Sequence, residues 1–276
     1  MKTIWFGDRE VPVLGQGTWY MGEKPQKRAA EIAALRRGVE LGLTVIDTAE
    51  MYGSGRSESL VGEAIRGIRE QIYLVSKVLP SNASAEGVVR SCEASLRRLG
   101  TDALDLYLLH WRGRYALADT LAGFERLREQ GKIRDWGVSN FDVDDMEELL
   151  ALPSGGACVA NQVLYNPENR GIEFDLLPWC QQQRIGVMAY SPVGQGGELL
   201  QSAALRKVAQ KHGVTPAQVA LAWCLRQSLQ AIPKAGSVAH VEENAAAAEL
   251  KLDDDDLRTI DGAFAPPKKK MRLAML

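Results

Sequence analysis

Short apolar segments alternate with longer amphipathic segments along the whole chain. The short segments are rich in Val, Ile and Leu and predict β-strands, whereas the longer ones have the period of helices. Most successive strands are about 30 residues apart, which is the length of one strand, one helix and two loops. Eight such strands are predicted, and they end near Thr18, Asp47, Lys77, His110, Asn140, Gln162, Tyr190 and Lys234.

The strand sequences indicate how these units are arranged. Leu104–Leu109 and Tyr73–Ser76 are nearly all apolar, as strands buried on both faces are. Strands that alternate with helices form a parallel sheet, and eight units close into a barrel. We therefore expect an α/β fold, a (β/α)8 TIM barrel formed as a single domain by residues 1–276. A short N-terminal β-hairpin is predicted over Thr3–Val13, with its turn at Gly7–Asp8.

Helix-end signals support this assignment of strands and helices along the chain. Ser84 is placed to cap a helix that stops at Gly100, and Asp142 is placed to cap a later one. Thr215–Gln218 supplies a cap, a first-turn proline and a capping-box glutamine. The interval before the last strand is longer than the others, so we expect two helices in it.

Composition and charge narrow the classes of function. Apolar residues make up 46% of the chain and charged residues 25%, as in globular proteins, and the net charge is -2. This balance gives no support for a nucleic-acid or membrane-surface partner, and no apolar segment approaches the ~20 residues of a membrane span. The four cysteines and three histidines lack metal-type spacing. We expect a cytoplasmic monomer with free thiols and no metal.

Polar side chains stand at the C-terminal ends of seven predicted strands. Taken singly, each has an ordinary structural explanation, such as a helix cap or a solvated lysine. Active sites of barrels lie at the C-terminal ends of the strands, so their occurrence at one end together indicates an active site. The residues are Asp47, Lys77, His110, Asn140, Gln162, Tyr190 and Lys234, and Tyr52 follows five residues after the first of them.

These residue types fit the protonation of a developing alkoxide. Tyrosine has an ordinary pKa of about 10, too high for an efficient proton donor at neutral pH. Lys77 can lower the pKa of Tyr52 by stabilising the phenolate, and Asp47 can keep that lysine charged. His110 can orient a carbonyl or share in proton transfer. The set has neither a nucleophile beside a base nor a carboxylate pair, so the electrons must come from a cofactor.

Motifs that span nearly the whole chain resemble those of the aldo-keto reductases, which are NADPH-dependent (β/α)8 barrels. By this resemblance Asp47, Tyr52, Lys77 and His110 form the family's catalytic tetrad, with Tyr52 as the general acid. The motifs occur in the family's order and are Gly15–Trp19, Ile46–Gly53, Val75–Lys77, Leu108–Trp111, Gly137–Phe141, Asn161–Gln162, Ala189–Pro192 and Ile232–Lys234.

The resemblance implies that the cofactor is NADPH, with NADP+ as its oxidised form. Ser139, Asn140 and Gln162 would hold the nicotinamide carboxamide, and Tyr190 would stack on the ring. The segment after Lys234 would hold the adenosine 2′-phosphate and adenine. The expected cofactor-binding residues are Gly17, Thr18, Trp19, Asp47, Ser139, Asn140, Gln162, Tyr190, Ser191, Pro192, Val193, Gly194, Gln195, Ile232, Pro233, Lys234, Ala235, Ser237, His240, Glu243 and Asn244.

The sequence departs from two dinucleotide-binding patterns. The glycine motif of Rossmann folds is absent, because Tyr20 stands where the third glycine would follow Gly15 and Gly17. The aldo-keto reductases commonly have Arg where His240 stands and often Ser where Ala235 stands. We therefore expect a weaker preference for NADPH than in family members with that Arg.

The substrate pocket is expected to involve aromatic residues near the strand ends. The expected substrate-contacting residues are Trp19, Tyr52, His110 and Trp111, and Tyr20 is either a pocket wall or rim packing. The chain is most similar to compact bacterial members of the family, which reduce small aldehydes such as methylglyoxal.

Two further segments bear on access to the pocket. Gly194–Gly197 is either a loop that closes over the pyrophosphate or an ordinary connector. The tail after Pro266–Pro267 is brief, and its Lys268–Lys270 run is expected to be solvated. The connection after His110–Trp111 is also short. In the aldo-keto reductases this connection and the tail shape substrate preference, so their short forms here imply an open pocket.

Two other interpretations of the sequence remain open. One is a regulatory barrel that binds nucleotide with little turnover, as in potassium-channel β subunits of the same superfamily. The other is a different barrel enzyme, such as an isomerase or a phosphosugar lyase. The complete tetrad disfavours the first, and the adenosine-type segment after Lys234 disfavours the second.

Overall fold

The computed structural model describes residues 1–276 and contains one sheet of eight parallel strands together with a two-stranded antiparallel hairpin. The predicted (β/α)8 barrel and N-terminal hairpin are therefore confirmed. The hairpin strands are β1 (Thr3–Phe6) and β2 (Arg9–Pro12); the barrel strands are β3 (Gln16–Gly17), β4 (Val45–Asp47), β5 (Tyr73–Val78), β6 (Leu104–Leu109), β7 (Ile133–Ser139), β8 (Cys158–Leu164), β9 (Gly186–Tyr190) and β10 (Gln230–Ala231).

The barrel closes between its first and last strands. A parallel bridge joins Gly17 to Lys234, and the Gly17 amide donates to the Pro233 carbonyl at 3.0 Å. A Cβ on Gly17 would lie 2.7 Å from the carbonyl oxygen of Ile232, so the close approach of the two backbones requires glycine. The seam brings residues from opposite ends of the chain to one rim.

Ten α-helices surround the barrel, and their caps follow the sequence signals. Ser84 and Thr215 accept hydrogen bonds from backbone amides at the helix N-termini, and two helices precede β10 as predicted. No helix combines the length and the hydropathy that crossing a bilayer requires. The helices are α1 (Arg28–Glu40), α2 (Arg56–Ala64), α3 (Ala85–Leu99), α4 (Leu117–Glu129), α5 (Val143–Leu150), α6 (Leu176–Gln182), α7 (Ala203–His212), α8 (Pro216–Cys224), α9 (Val238–Ala246) and α10 (Asp254–Ala263).

Alternation along the strands decides which side chains enter the barrel interior. Val45, Val75, Leu108, Ala160 and Met188 belong to one buried apolar cluster that fills the interior. Successive side chains of a strand point to opposite faces, so residues two positions further along share the inward direction. These are the polar residues at the C-terminal rim: Asp47, Lys77, His110, Gln162 and Tyr190.

The hairpin closes the N-terminal end of the barrel. Phe6 is fully buried in the interior cluster. Its ring packs so closely on β9 that a Cβ added to Gly186 would lie 2.1 Å from it. The aromatic ring therefore fills the base of the barrel interior.

The tail of the chain lies over the C-terminal rim. The Lys270 ammonium is 3.4 to 3.6 Å from the carboxylates of Asp142, Asp144 and Asp175, near the N-termini of α5 and α6. Leu273 packs against the outer core. The Lys268–Lys270 run was expected to be solvated. Lys270 is half-exposed, but its contacts with three carboxylates hold the tail against the barrel.

We expect Gly186→Ala to lower the free energy of unfolding by about 1–3 kcal/mol, the usual cost of overpacking a filled core. The added methyl group would meet the Phe6 ring and push the hairpin away from the barrel. The midpoint of urea unfolding measures the loss. Gly156→Ala is the matched control, because nothing lies within 4 Å of a Cβ at that position. Equal midpoints for the two variants would show that the ring does not plug the barrel.

Candidate active site

Asp47 and Lys77 form a buried ion pair at the upper end of the barrel interior. Asp47 ends β4 and is paired in register with Val75 of β5. Lys77 lies two residues beyond Val75 and therefore points to the same side of the sheet. The Lys77 ammonium is 2.7 Å from Asp47 Oδ2, and both side chains are shielded from solvent. The register of two neighbouring strands thus creates the pair.

All three ammonium protons of Lys77 have acceptors. Besides Asp47, the acceptors are the Thr48 carbonyl at 2.9 Å and the Tyr52 phenolic oxygen at 3.2 Å. Tyr52 reaches this position from a turn just after β4, in which Gly53 has a φ of 56°. Since the phenolic oxygen accepts from Lys77, Tyr52 keeps its own proton to donate elsewhere.

Burial and charge act in opposite directions on the pKa of Tyr52. Burial is the largest effect and raises this pKa, Lys77 lowers it, Asp47 raises it, and the net shift is upward. The sequence-based expectation of a lowered pKa included the effect of Lys77 but not the stronger effect of burial. For Lys77, burial lowers the pKa, but Asp47 and Tyr52 together raise it above its ordinary value. At neutral pH the phenol is therefore protonated and the ammonium charged.

His110 contributes a neutral imidazole beside Tyr52. Burial, and then the charge of Lys77, lowers the pKa of His110 to about 3. Nδ1 of His110 is buried and has no hydrogen-bond partner, and we assign the single proton of the neutral ring to Nε2, where it can meet a ligand. The His110 ring meets the Tyr52 ring edge-on, with 5.8 Å between the ring centres. The two side chains therefore form a pair of neutral donors.

A cavity of about 540 Å³ extends from these side chains along the rim. Tyr20 lines its mouth and stacks on Trp19, with 4.5 Å between the ring centres. Most of the residues predicted from the sequence also line it, and they are Gly17, Thr18, Trp19, Asp47, Tyr52, His110, Trp111, Ser139, Asn140, Gln162, Tyr190, Ser191, Pro192, Val193, Gln195, Ile232, Lys234, His240, Glu243 and Asn244.

Five predicted residues lie off the cavity wall. Lys77 lies behind the side chains that it bonds. The Pro233 carbonyl is used in the barrel seam, Ala235 packs in the outer core, and the Ser237 hydroxyl caps α9. A Cβ on Gly194 would contact Leu199, behind the loop. From sequence position alone, these five residues cannot be distinguished from neighbouring residues that line the cavity.

Several wall residues were missed by the sequence analysis. Met51 directly precedes Tyr52 and lies inside a recognised motif, so its position was a usable signal. Gly236 leaves room for the side chain of Lys234, since a Cβ there would lie 3.2 Å from the ammonium nitrogen. Leu276 had no local signal, because the path of the tail depends on distant contacts, and it narrows a pocket that was expected to be open. The missed residues are Met51, Leu200, Ala217, Gly236 and Leu276.

A hydrogen-bonded wall lies next to the ion pair. The Asn140 amide donates to the His110 carbonyl at 3.1 Å, and its Oδ1 accepts from the Tyr190 phenol at 2.9 Å. The Ser139 hydroxyl donates to the Gln162 carbonyl at 2.8 Å. Asn140 has a φ of +61°, a conformation that side-chain residues seldom adopt outside functional or turn positions. The wall is thus held in a fixed arrangement.

The far end of the cavity lies at the N-terminus of α9. Ser237 caps this helix by accepting from the His240 amide. Lys234 is exposed beside it, and no carboxylate lies within ion-pair distance of its ammonium group. Glu243 accepts a hydrogen bond from the Thr215 hydroxyl. A helix N-terminus beside an unpaired lysine is suited to an anionic group such as a phosphate.

Known proteins of one family are similar to this chain. The model of the aldo/keto reductase family matches residues 13–265. The chain is 54% identical to methylglyoxal reductase YeaE of Escherichia coli (strain K12), over 100% of this chain and 99% of that protein. It is 36% identical to glyoxal reductase of Bacillus subtilis (strain 168), over 91% of this chain and 88% of that protein.

Solved structures give the same family. An aldo/keto reductase from Klebsiella pneumoniae in complex with NADP and acetate aligns with a TM-score of 0.97 and 50% identity, covering 100% of this chain and 99% of that one. An aldo-keto reductase from the same organism in complex with NADPH aligns with the same TM-score and identity.

We expect Asp47→Asn to lower the free energy of unfolding by about 3–5 kcal/mol, because the Lys77 ammonium would remain buried without its counter-charge. Adding Lys77→Met removes that charge, so the double variant should regain part of the loss although it carries two substitutions. Urea unfolding followed by circular dichroism measures both. A double variant that is less stable than Asp47→Asn would show that the buried charge is not the cause.

Proposed function

The chain belongs to the aldo/keto reductase family, and on that premise we propose that it reduces small aldehydes and α-oxoaldehydes, such as methylglyoxal, with NADPH. The enzyme is an NAD(P)H-dependent oxidoreductase. One observation carries the proposed chemistry: a protonated Tyr52 phenol accepts a hydrogen bond from a buried, charged Lys77 in the wall of a cavity. That arrangement is suited to giving a proton to a developing alkoxide.

Tyr52 acts as the general acid in this proposal. The alkoxide formed from an aldehyde is a stronger base than a phenolate, so the proton moves from Tyr52 Oη to the alkoxide oxygen. The Lys77 ammonium, 3.2 Å from the phenolic oxygen, then stabilises the phenolate. The upward shift in the pKa of Tyr52 keeps the proton in place until that charge develops. Asp47 keeps Lys77 charged and in position.

His110 orients the substrate. Its Nε2 carries the proton of a neutral imidazole and donates to the carbonyl oxygen, so that oxygen is held by His110 and Tyr52 together. The low pKa of His110, about 3, means that its donor stays neutral throughout the physiological range. Tyr52 is therefore the only one of the two that gives up a proton.

The residues present fit NADPH. A cofactor of this kind supplies a hydride to the carbonyl carbon when it is bound. We propose that Ser139, Asn140 and Gln162 hold the carboxamide and that Tyr190 packs on the nicotinamide ring. Lys234, at the N-terminus of α9, would hold the 2′-phosphate. The support is the helix terminus and the unpaired ammonium group, which together match an anion at that end of the cavity.

The cavity mouth favours small carbonyl compounds. Trp19, Tyr20, Trp111, Met51 and Leu276 form an apolar and aromatic rim around the donors. The related Escherichia coli and Bacillus subtilis proteins are named as methylglyoxal and glyoxal reductases. We propose α-oxoaldehydes of similar size as substrates here, because the tail residue narrows the space beyond the donors.

We also propose a domain organisation, an oligomeric state and a cellular location for the chain. Residues 1–276 act as one domain, and the protein is a cytoplasmic monomer that binds no nucleic acid. Four free, buried cysteines are in keeping with a reducing compartment. A regulatory nucleotide-binding barrel is less well supported, because a binder does not require a phenol held against a buried ammonium. Sedimentation analysis tests the monomer.

We expect Tyr52→Phe to lower the rate of NADPH oxidation with methylglyoxal by about 10²- to 10⁴-fold, the usual contribution of general acid catalysis. NADPH binding should remain, since only the phenol proton is lost; tryptophan fluorescence measures it. Tyr107→Phe is the matched control, because the Tyr107 hydroxyl is buried in the core without a partner. Near-normal turnover by Tyr52→Phe would refute the general-acid role, and an inactive wild-type protein would refute the proposed reaction.

We expect NADPH to bind more tightly than NADH, because the unpaired Lys234 ammonium group can hold the 2′-phosphate that NADH lacks. His240 is exposed in the cavity wall near Lys234, so we expect its ring to contribute to that preference as a hydrogen-bond donor. Dissociation constants for both cofactors, in wild type and His240→Ala, measure the effect. His240→Arg should tighten NADPH more than NADH, because a guanidinium can grip the 2′-phosphate with two bonds. If the ratio of the two dissociation constants is the same in wild type and in His240→Ala, His240 has no part in cofactor choice.

A further inference from the structure

Gln162 supplies the second hydrogen bond on the Asp47 carboxylate. Gln162 Nε2 lies 2.8 Å from Asp47 Oδ1, while Lys77 occupies Oδ2. Asp47 and Gln162 are both buried. Their strands, β4 and β8, are four places apart in the eight-stranded sheet, so they face each other across the barrel. The bond therefore crosses the interior just below the cavity.

The chemistry of the carboxylate fixes the orientation of the Gln162 amide. An ionised carboxylate can only accept hydrogen bonds, so the Gln162 atom next to Asp47 must be the nitrogen. The nitrogen also lies 3.8 Å from Met188 Sδ, which takes its second proton weakly. The amide oxygen has no donor from the protein, and Gln162 lines the cavity. One amide thus contacts the ion pair through its nitrogen and leaves its oxygen for a ligand.

A carboxylate held at one oxygen has rotational freedom that two bonds remove. The terminal torsion of Asp has a broad energy profile, so Lys77 alone does not fix the plane of the Asp47 carboxylate. If that plane turned, Oδ2 would move from the Lys77 ammonium. The bond from Lys77 to the Tyr52 oxygen depends on the same ammonium nitrogen, so its geometry would change as well.

We propose that Gln162 is a positioning residue for proton transfer: by holding Asp47 Oδ1 it fixes Lys77, and through Lys77 it sets the hydrogen bond to Tyr52. This role is separate from any contact between the amide oxygen and the cofactor. It rests on the reductase function proposed above. A role in cofactor binding alone predicts a deficit that saturating NADPH removes, whereas a positioning role predicts a deficit that remains.

Two substitutions separate these roles. Gln162→Met keeps the length of the side chain but removes the donor, and we expect kcat at saturating NADPH and methylglyoxal to fall at least about tenfold, a part of the general-acid contribution. Gln162→Glu keeps an oxygen towards the cavity and replaces the amide nitrogen with a carboxyl oxygen. When protonated, that carboxyl can still donate to Asp47.

The pH–rate profile of Gln162→Glu gives the sharper signature. A carboxyl group placed against another carboxylate has a raised pKa, because the two cannot easily ionise together. At low pH the introduced group is protonated, donates to Asp47 and should support activity. As the pH rises it ionises, the donor is lost, and kcat should fall through a limb that wild type lacks. Activity recovered by acidification is not expected from a general loss of packing.

Met188→Leu is the matched control, because Met188 touches the same amide from the core and Leu fills a similar volume. Its pH profile should follow wild type. Fluorescence titration gives the dissociation constant for NADPH of every variant without turnover. The proposal is overturned if the Gln162 variants have a wild-type kcat and pH profile at saturation and differ only in that constant. An inactive wild type with normal NADPH binding would instead overturn the proposed function.

Discussion

The site depends on one buried ion pair, between Asp47 and Lys77, in the layer where the barrel interior meets the cavity. Burying two charges costs free energy that the pair recovers only with good geometry and further hydrogen bonds. Here the further bonds are those of Gln162 to the carboxylate and of Lys77 to Thr48 and Tyr52. The hydrogen bonds that stabilise the buried ion pair also orient the Tyr52 phenol. The same contacts therefore serve both the stability of the fold and the chemistry of the site.

The barrel supplies the rigidity that this pair needs. Its interior is filled below by the apolar cluster and closed at the base by Phe6, so the polar residues have only the C-terminal rim to occupy. The seam at Gly17 closes the sheet and brings Lys234 to the same rim as Asp47. Acidic, basic and aromatic side chains from distant parts of the chain therefore meet at one rim.

Burial accounts for the neutral state of the two donors, Tyr52 and His110. It raises the pKa of Tyr52 and lowers the pKa of His110 to about 3, so both side chains carry a proton and no charge at neutral pH. Lys77 is the cation beside them, and it assists only the phenol with a hydrogen bond. A substrate oxygen that gains negative charge would thus meet a stabilised acid on one side and a fixed donor on the other.

The sequence by itself determined the elements and the residue types at the rim. Strand and helix periods, and caps such as Ser84 and Thr215, are local signals that the sequence shows directly. The family motifs indicated the four tetrad residues. Tertiary structure decided what depends on distant groups: the bond between Gln162 and Asp47, the path of the tail to Leu276, and the net direction of the pKa of Tyr52. The period of a strand and the capping of a helix depend only on residues that are close in the chain. Burial and contacts across the barrel depend on residues that are distant in the chain and meet only in the folded structure.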